Sequence, residues 1–377
     1  MRRNFYCYLF LVSCFLFLSC SRKTKQYDLL EISVDTKVGE SLPLSKITEE
    51  IRAIELELTN ESIINPQPNK LKRIILTDDH VFLAQTEKIF VFDRNGKFIH
   101  SIGSKGQGPG EYNEIRNFAI DETNKRLFVN TFRNIICYDF TGKFLKESPK
   151  LNSLIYDINY SNDELLIIVD YLGMDPDRSK QFSRTLIYNL NDDFQVTDSC
   201  FIKLISGSTG FSGGTVDNYI LSADSVVYIY YPNATSQQIP SKTFLRDTLY
   251  RYKHNQLVPD LKLKFKRDGV DSEGNLFIYL INLYRSSRYV FADYYDYSLE
   301  LEDDYWYVSF NFCYDTKTGE RYKMGRDRYR DDIHDIDPVI IYPFHTNPEM
   351  FYYLHTHMKP DDLEEPNPTL YIGKLKK

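Results

Sequence analysis

Several marks of familiar chemistry are missing from this chain. It holds 6 cysteines and 1 tryptophan in 377 residues, and Cys7, Cys14 and Cys20 crowd into the amino-terminal segment. The remaining Cys137, Cys200 and Cys313 stand far apart with no C-x-x-C spacing, which argues against both a zinc site and a disulfide framework. Each lies in a strand-like stretch, such as Ile135-Ile136-Cys137-Tyr138, where a thiol packs as a small hydrophobe. All three are expected in the core. Positive charge is also in deficit: 46 Lys plus Arg against 53 Asp plus Glu give a net charge of -7. With no basic field to draw phosphate backbones, nucleic acid is not an expected partner. The Asp-box pattern of sialidases does not occur.

Flat side chains are what the sequence has in quantity. With 30 Tyr and 25 Phe, aromatics reach 15% of the residues, which suits pleated surfaces better than helices. The length admits one large all-β domain as readily as two ordinary domains.

The first residues read as an address. Arg2 and Arg3 precede an apolar run from Phe5 to Leu18, the pattern of a signal peptide, and the run is shorter than the about 20 residues a spanning helix needs. It ends at Phe17-Leu18-Ser19-Cys20, followed by the polar Ser21-Arg22-Lys23-Thr24-Lys25-Gln26. A small residue before Cys and a polar tether after it resemble a bacterial lipobox. Processing there attaches several acyl chains, which hold a protein on a bilayer where one chain binds only marginally. Residues 1–19 are therefore expected to be a lipoprotein signal peptide, Cys20 the lipidated residue, and 20–26 the tether. Leu11-Val12-Ser13-Cys14 competes, with the better residue three before Cys. Cleavage at Cys14 would leave Phe15-Leu16-Phe17-Leu18 as a poor tether, so Cys20 is preferred.

Two markers repeat along the rest of the chain. The first is a polar turn entering an apolar strand: Asp78-Asp79-His80-Val81-Phe82-Leu83, Asp121 to Val129, Asn162 to Ile167, Asp224 to Ile229, Asp271 to Ile278, and Asn347 to Tyr352. The second is an aromatic strand that ends in a polar turn and restarts. Val91-Phe92-Asp93-Arg94-Asn95-Gly96-Lys97-Phe98 matches Cys137-Tyr138-Asp139-Phe140-Thr141-Gly142-Lys143-Phe144, with weaker copies at Ile187, Tyr250, Cys313 and Leu370. Asn-Gly and Thr-Gly supply a residue that accepts positive φ in a tight hairpin. Each period then holds four strands, and a four-stranded repeat of about 40 to 50 residues is a propeller blade. Six periods predict an all-β, six-bladed β-propeller occupying residues 27–377 as one domain. Insertions at 170–184, 230–247 and 282–305 should lie at one end of the disc. The last period lacks a strand, which Tyr27 to Val34 or Ile51 to Leu56 could supply, closing the ring between the two termini.

Ile102-Gly103-Ser104-Lys105-Gly106-Gln107-Gly108-Pro109-Gly110-Glu111-Tyr112 follows directly on the first Asn-Gly hairpin. In that position it resembles the hallmark of the six-bladed β-propeller lipoproteins of Bacteroides and related bacteria, which are distantly similar to NHL-type propellers. The resemblance implies the fold, an envelope location and a role in binding partners, and brings no catalytic residues with it. The basic tether lacks the acidic residues of surface-export signals in that phylum, so a periplasm-facing outer-membrane anchor is expected. Read physically, the glycine-rich segment is a blade-to-blade link. The Gly-Lys-Ser/Thr ending and following helix of a phosphate loop are missing, and Glu111 can bond its exposed amides.

Three groups are candidate sites. His355-Thr356-His357 puts two imidazoles on one face of a strand, with two surface histidines as the plainer reading. Asp331-Asp332 and Asp335-Ile336-Asp337 around His334 offer carboxylates for Ca²⁺ without EF-type spacing, and a solvated loop is the plainer reading. Tyr284, Tyr289, Phe291, Tyr294, Tyr295, Tyr297, Tyr305, Trp306 and Tyr307 offer faces on which sugars or peptides stack, with strand packing as the plainer reading. No catalytic residue, metal or cofactor is assigned. The expected function is a monomeric, lipid-anchored binding or scaffolding module for a glycan, peptide or envelope protein. The alternative is a propeller hydrolase, lyase or lactonase with a carboxylate or Ca²⁺ site at the channel mouth.

Overall fold

The computed structural model describes residues 29–65, 67, 70–174, 181–207, 219–223, 226–232, 238–239, 245–266, 277–297, 308–325, 328–357 and 366–377. Strands dominate, with one short helix at Leu44–Ile47. The first sheet runs Leu71–Leu76, His80–Gln85, Ile89–Asp93, Phe98–Ile102, and the second Asn117–Asp121, Arg126–Asn130, Ile135–Asp139, Phe144–Glu147. The third is built of Leu154–Ser161, Glu164–Met174, Gln181–Leu190 and Val196–Gly207, the fourth of Ile220–Ala223, Val226–Ile229, Thr248–Lys253 and Gln256–Lys264. Ile278–Arg285, Tyr289–Asp296, Val308–Asp315 and Arg321–Met324 make the fifth, while Tyr342–Phe344, Asn347–His355 and Thr369–Leu375 begin the last. Between these two lies a small sheet of Tyr329–Asp331 and Ile336–Val339.

The expected six blades are therefore corrected to seven. The small sheet gains a third strand when Leu42–Pro43 pairs in parallel with Tyr329 and Arg330, so a stretch that reads as an acidic loop is drawn into a sheet by a distant partner.

The chain's start laces four sheets in succession. Leu30–Ser33 pairs with Leu261 to Lys264 of the fourth, and Val38–Gly39 with Lys323 and Met324 of the fifth. After the small sheet, Thr48–Glu55 runs antiparallel to Thr369–Leu375 as the outer strand of the last sheet. Of the two candidate closing strands, the one around Ile51 takes that place, and the one around Leu30 edges a different sheet.

Apolar cores sit between neighbouring sheets all the way round. Phe82, Ile102, Phe118 and Tyr138 fill the space between first and second, Phe128, Cys137, Ile167 and Val169 between second and third, Ile168, Cys200, Ile220 and Ile229 between third and fourth. Leu261 and Phe312 join fourth to fifth, Tyr284, Phe291, Tyr329 and Phe351 join fifth, small and last, and Ile54, Phe92 and Ile372 join the last back to the first. Sheets buried on both faces need apolar residues at consecutive positions, which is why Ile89-Phe90-Val91-Phe92 is wholly buried. Each such side chain contributes about 1.5–3 kcal/mol. Cys137, Cys200 and Cys313 are buried thiols, as expected.

The repeated hairpin has one local cause. Asp93 Oδ1 accepts the amides of Asn95 and Lys97 at 2.8 and 3.0 Å, and Asp139 Oδ1 those of Thr141 and Lys143 at 2.9 and 3.0 Å. Gly96 completes the turn at φ 89°, where a Cβ would lie 2.0 Å from the carbonyl oxygen of Glu55. The fifth copy of the other marker is misplaced in sequence. The turn between the fifth sheet's first two strands is Ser286-Ser287-Arg288, where Ser286 Oγ accepts the Tyr289 amide at 2.9 Å, whereas 271–276 lie outside the described residues.

Candidate functional site

The described innermost strands meet in a charged hub. Arg73, 1% exposed, and Asp157, 0% exposed, approach to 2.5 Å. Arg73 Nη1 donates to the carbonyls of Phe118 and Ile158 at 2.8 and 2.7 Å. Asp157 Oδ1 also accepts from Asn117 Nδ2 at 3.0 Å, and its Oδ2 from the amides of Tyr219 and Ile220 at 3.0 and 2.9 Å. One ion pair thus ties the first four sheets. The Ser222 amide donates to the His345 carbonyl at 2.7 Å, bringing in the last. Burial, with the charge of Arg73, holds the His345 imidazole well below its usual range.

One end of the disc carries the long connections. Among them are those that join the second strand of a sheet to its third: 175–180, 230–247, 297–307 and 356–368. In the third sheet this hairpin extends past the inner strand, whose pairing stops at Leu154 opposite Asp170. The extension leaves Tyr171, Leu172 and Met174 exposed at 43%, 49% and 47%. The expected insertion at 170–184 is therefore partly a strand extension, and half of 282–305 is strand, with the connection to the next strand at 297–307.

Near the root of that hairpin lies a buried polar cluster. Lys203 Nζ donates to the Pro232 carbonyl at 3.0 Å and sits 4.1 Å from the centre of the Tyr231 ring. Burial pulls this amine down to about 7, opposed by the carboxylate of Asp170. Asp170 is itself raised by burial, with Ser183 Oγ 2.6 and 2.7 Å from its two oxygens. Tyr231 contacts Tyr219 at 5.1 Å, Tyr219 contacts Tyr156 at 6.0 Å, and Arg116 stacks 5.6 Å over Tyr156. Three aromatic rings thus run between two cations, an arrangement suited to holding a ligand with both apolar and polar surface.

A family model described as a domain of unknown function, DUF4934, matches residues 29–376. The chain belongs to that family. No curated protein matches the chain. A solved structure of a Bacteroides fragilis protein, described as an exported one, is similar at TM-score 0.61 and 16% identity, covering 93% of this chain and 100% of that one. That likeness concerns the fold. The Pan2 WD40 domain of Neurospora crassa reaches TM-score 0.37 at 10% identity, covering 81% and 76%.

The candidates read from sequence fall in separate places in this DUF4934 chain. Cys20 and Cys14 lie outside the described residues. Asp331 belongs to the core: it is 0% exposed and accepts from the Tyr353 hydroxyl and, at 2.7 Å, pairs with His334 Nδ1. Burial works against its charge, yet these bonds and the amides of Ile333 and His334 hold its carboxyl below the usual range. Asp332 accepts the amide and hydroxyl of Ser45 at 3.0 and 2.5 Å, fixing the short helix. The solvated-loop reading is corrected for Asp331, while Asp332, Asp335 and Asp337 are exposed. Tyr284, Tyr289, Phe291 and Tyr294 are core side chains, Tyr297 is 44% exposed, and 305–307 lie outside the described residues. The glycine-rich segment links the first two sheets, with Ser104–Lys105 and Glu111–Tyr112 paired in parallel and Gly108 N donating to Glu111 Oε2 at 2.8 Å. Sequence reasoning missed Arg73, Asp157 and Lys203. Their only signal was a charged residue inside an otherwise apolar strand.

Proposed function

We propose that the chain is an envelope lipoprotein, anchored through Cys20 to the periplasmic face of the outer membrane, that acts as a monomeric binding module. It holds a glycan, peptide or envelope protein at the end of the disc that bears the long connections. The observation that carries this reading is the union at that end of the exposed Tyr171, Leu172 and Met174 with the Lys203–Tyr231 cluster. Arg73 and Asp157 are buried in an ion pair among the innermost strands, whereas Tyr171, Leu172 and Met174 are exposed. The full chain in detergent should be probed against envelope glycans and peptides, with Tyr171→Ser/Leu172→Ser as the comparison. Loss of capture in that variant, with an unchanged melt, supports the reading. Equal capture by both proteins refutes the assignment of the face.

A catalytic reading has one observation in its favour, the buried Lys203 amine at about 7 beside Asp170. Perturbed pairs of this kind concentrate at functional sites. Turnover of an envelope-derived substrate that Lys203→Met abolishes would favour an enzyme.

A further inference from the structure

Asn347–His355 leaves the last sheet at the end of the disc that bears the long connections. His355 stands opposite Thr369, and His357, two residues on, shares its face in an extended chain. Their ring centroids are 4.6 Å apart, with the planes at 68°. Nitrogens bound about 2.0–2.1 Å from a shared ion place ring centroids about 4.5–5.5 Å apart.

The second ring is held in place by a train of contacts into the core. His357 Nε2 lies 2.6 Å from the Tyr371 hydroxyl. Tyr371 is stacked flat on Tyr353 at 4.7 Å and 1°, and the Tyr353 hydroxyl donates to the buried Asp331. When Nε2 donates its proton to Tyr371, Nδ1 presents its lone pair outward. Hydrogen-bonded support of this kind is what metal-ligating imidazoles use to fix tautomer and orientation. The approach is open, since His357 lines a groove of about 450 Å³ with Arg52, Glu55 and Thr369.

We propose that His355 and His357 form a two-imidazole site for a divalent transition-metal ion of the copper, nickel or zinc class, with solvent completing the coordination. No third protein ligand is required: among the described residues no group of three or more His, Cys, Asp and Glu side chains gathers. Copper(II) binds most tightly in the general order for nitrogen ligands. Tyr371 is a positioning residue.

The test is a calorimetric titration of the full chain in detergent with Cu²⁺ and Ni²⁺, with an electron paramagnetic resonance spectrum of the copper form. One equivalent with nitrogen coupling is expected. His355→Asn and His357→Asn should each weaken it about tenfold or more, and Tyr371→Phe about tenfold, while His254→Asn leaves it unchanged. Melting curves of the variants separate loss of metal from loss of fold. One equivalent that persists in His355→Asn/His357→Asn, or no saturable binding by the parent, overturns the proposal.

Discussion

Removing one partner of the Arg73–Asp157 pair should loosen the whole ring rather than one sheet. Arg73→Met leaves the Asp157 carboxylate buried without its cation, and takes the donor from the carbonyls of Phe118 and Ile158. Breaking a fully buried pair from one side costs about 3–5 kcal/mol. Asp157→Ala should cost at least as much, because it strands the guanidinium together with the amides of Tyr219 and Ile220. A change of 1 kcal/mol moves the melt by about 2–4 °C in domains of 150–250 residues and by less in a longer chain, so a fall of roughly 5–12 °C is expected for either variant. The double variant Arg73→Met/Asp157→Leu should recover part of that loss, since replacing both charges with packed apolar groups is often neutral. The two β-strand amides left without an acceptor keep it below the parent. Calorimetric melts of the four proteins decide the matter. Single variants melting within about 2 °C of the parent would show that the hub does not hold the ring.

Gly110→Ala places a Cβ 2.7 Å from the Phe144 ring at φ 74°, whereas Gly319→Ala, at φ 78°, meets nothing within 4 Å; denaturant titrations should show the first costing more than the about 1–2 kcal/mol of the second. His345 stays neutral in the folded chain and takes a proton near 6.5 when unfolded, so its contribution is present above about 6.5 and is lost as pH falls, by up to about 1.4 kcal/mol per unit. Denaturation of the parent between pH 7 and 5 should show that slope, and His345→Phe should flatten it. Deleting Leu370 to Lys377 strips Thr48–Glu55 of its partner and should cause aggregation or a large drop in melting temperature, while shortening the connection 175–180 between paired strands should matter little because loop length has a shallow entropic cost; a tail deletion that melts like the parent would contradict closure by that strand. Cys20→Ser should end incorporation of labelled palmitate, and incorporation that persists would move the anchor to Cys14.

What could be read from the sequence was local. Asp93 and Gly96 act within one turn, as do Asp139 and Gly142, so the four-stranded period was visible in residue order. Glu111 bonds an amide three residues away in the glycine-rich link, and that too could be anticipated. The Asp271 to Ile278 copy was misassigned because its acidic turn imitates the marker, while the turn actually used, at Ser286, is polar without being acidic. The small sheet escaped notice for the opposite reason. Tyr329–Asp331 forms a short hairpin with Ile336–Val339 across an acidic turn and gains its third strand from Leu42–Pro43, a pairing that no local pattern announces.

The hub shows why the candidate site was harder to read than the fold. Arg73 and Asp157 are separated by 84 positions, and each by itself looks like a polar residue on the open face of a strand. Burying either alone would cost several kcal/mol, so the two can sit inward only together, and only once the ring has brought the first and third sheets to the axis. On the proposed reading, recognition falls outside this hub, at the end where the connections lengthen. Those connections vary in length without disturbing the hub, because they join second and third strands while Arg73 and Asp157 sit on the first strands at the inner edge of their sheets. A rigid charged centre and an adjustable rim are therefore consequences of one topology, and a change of ligand would be expected in the rim while Arg73, Asp157 and Asn117 stay fixed.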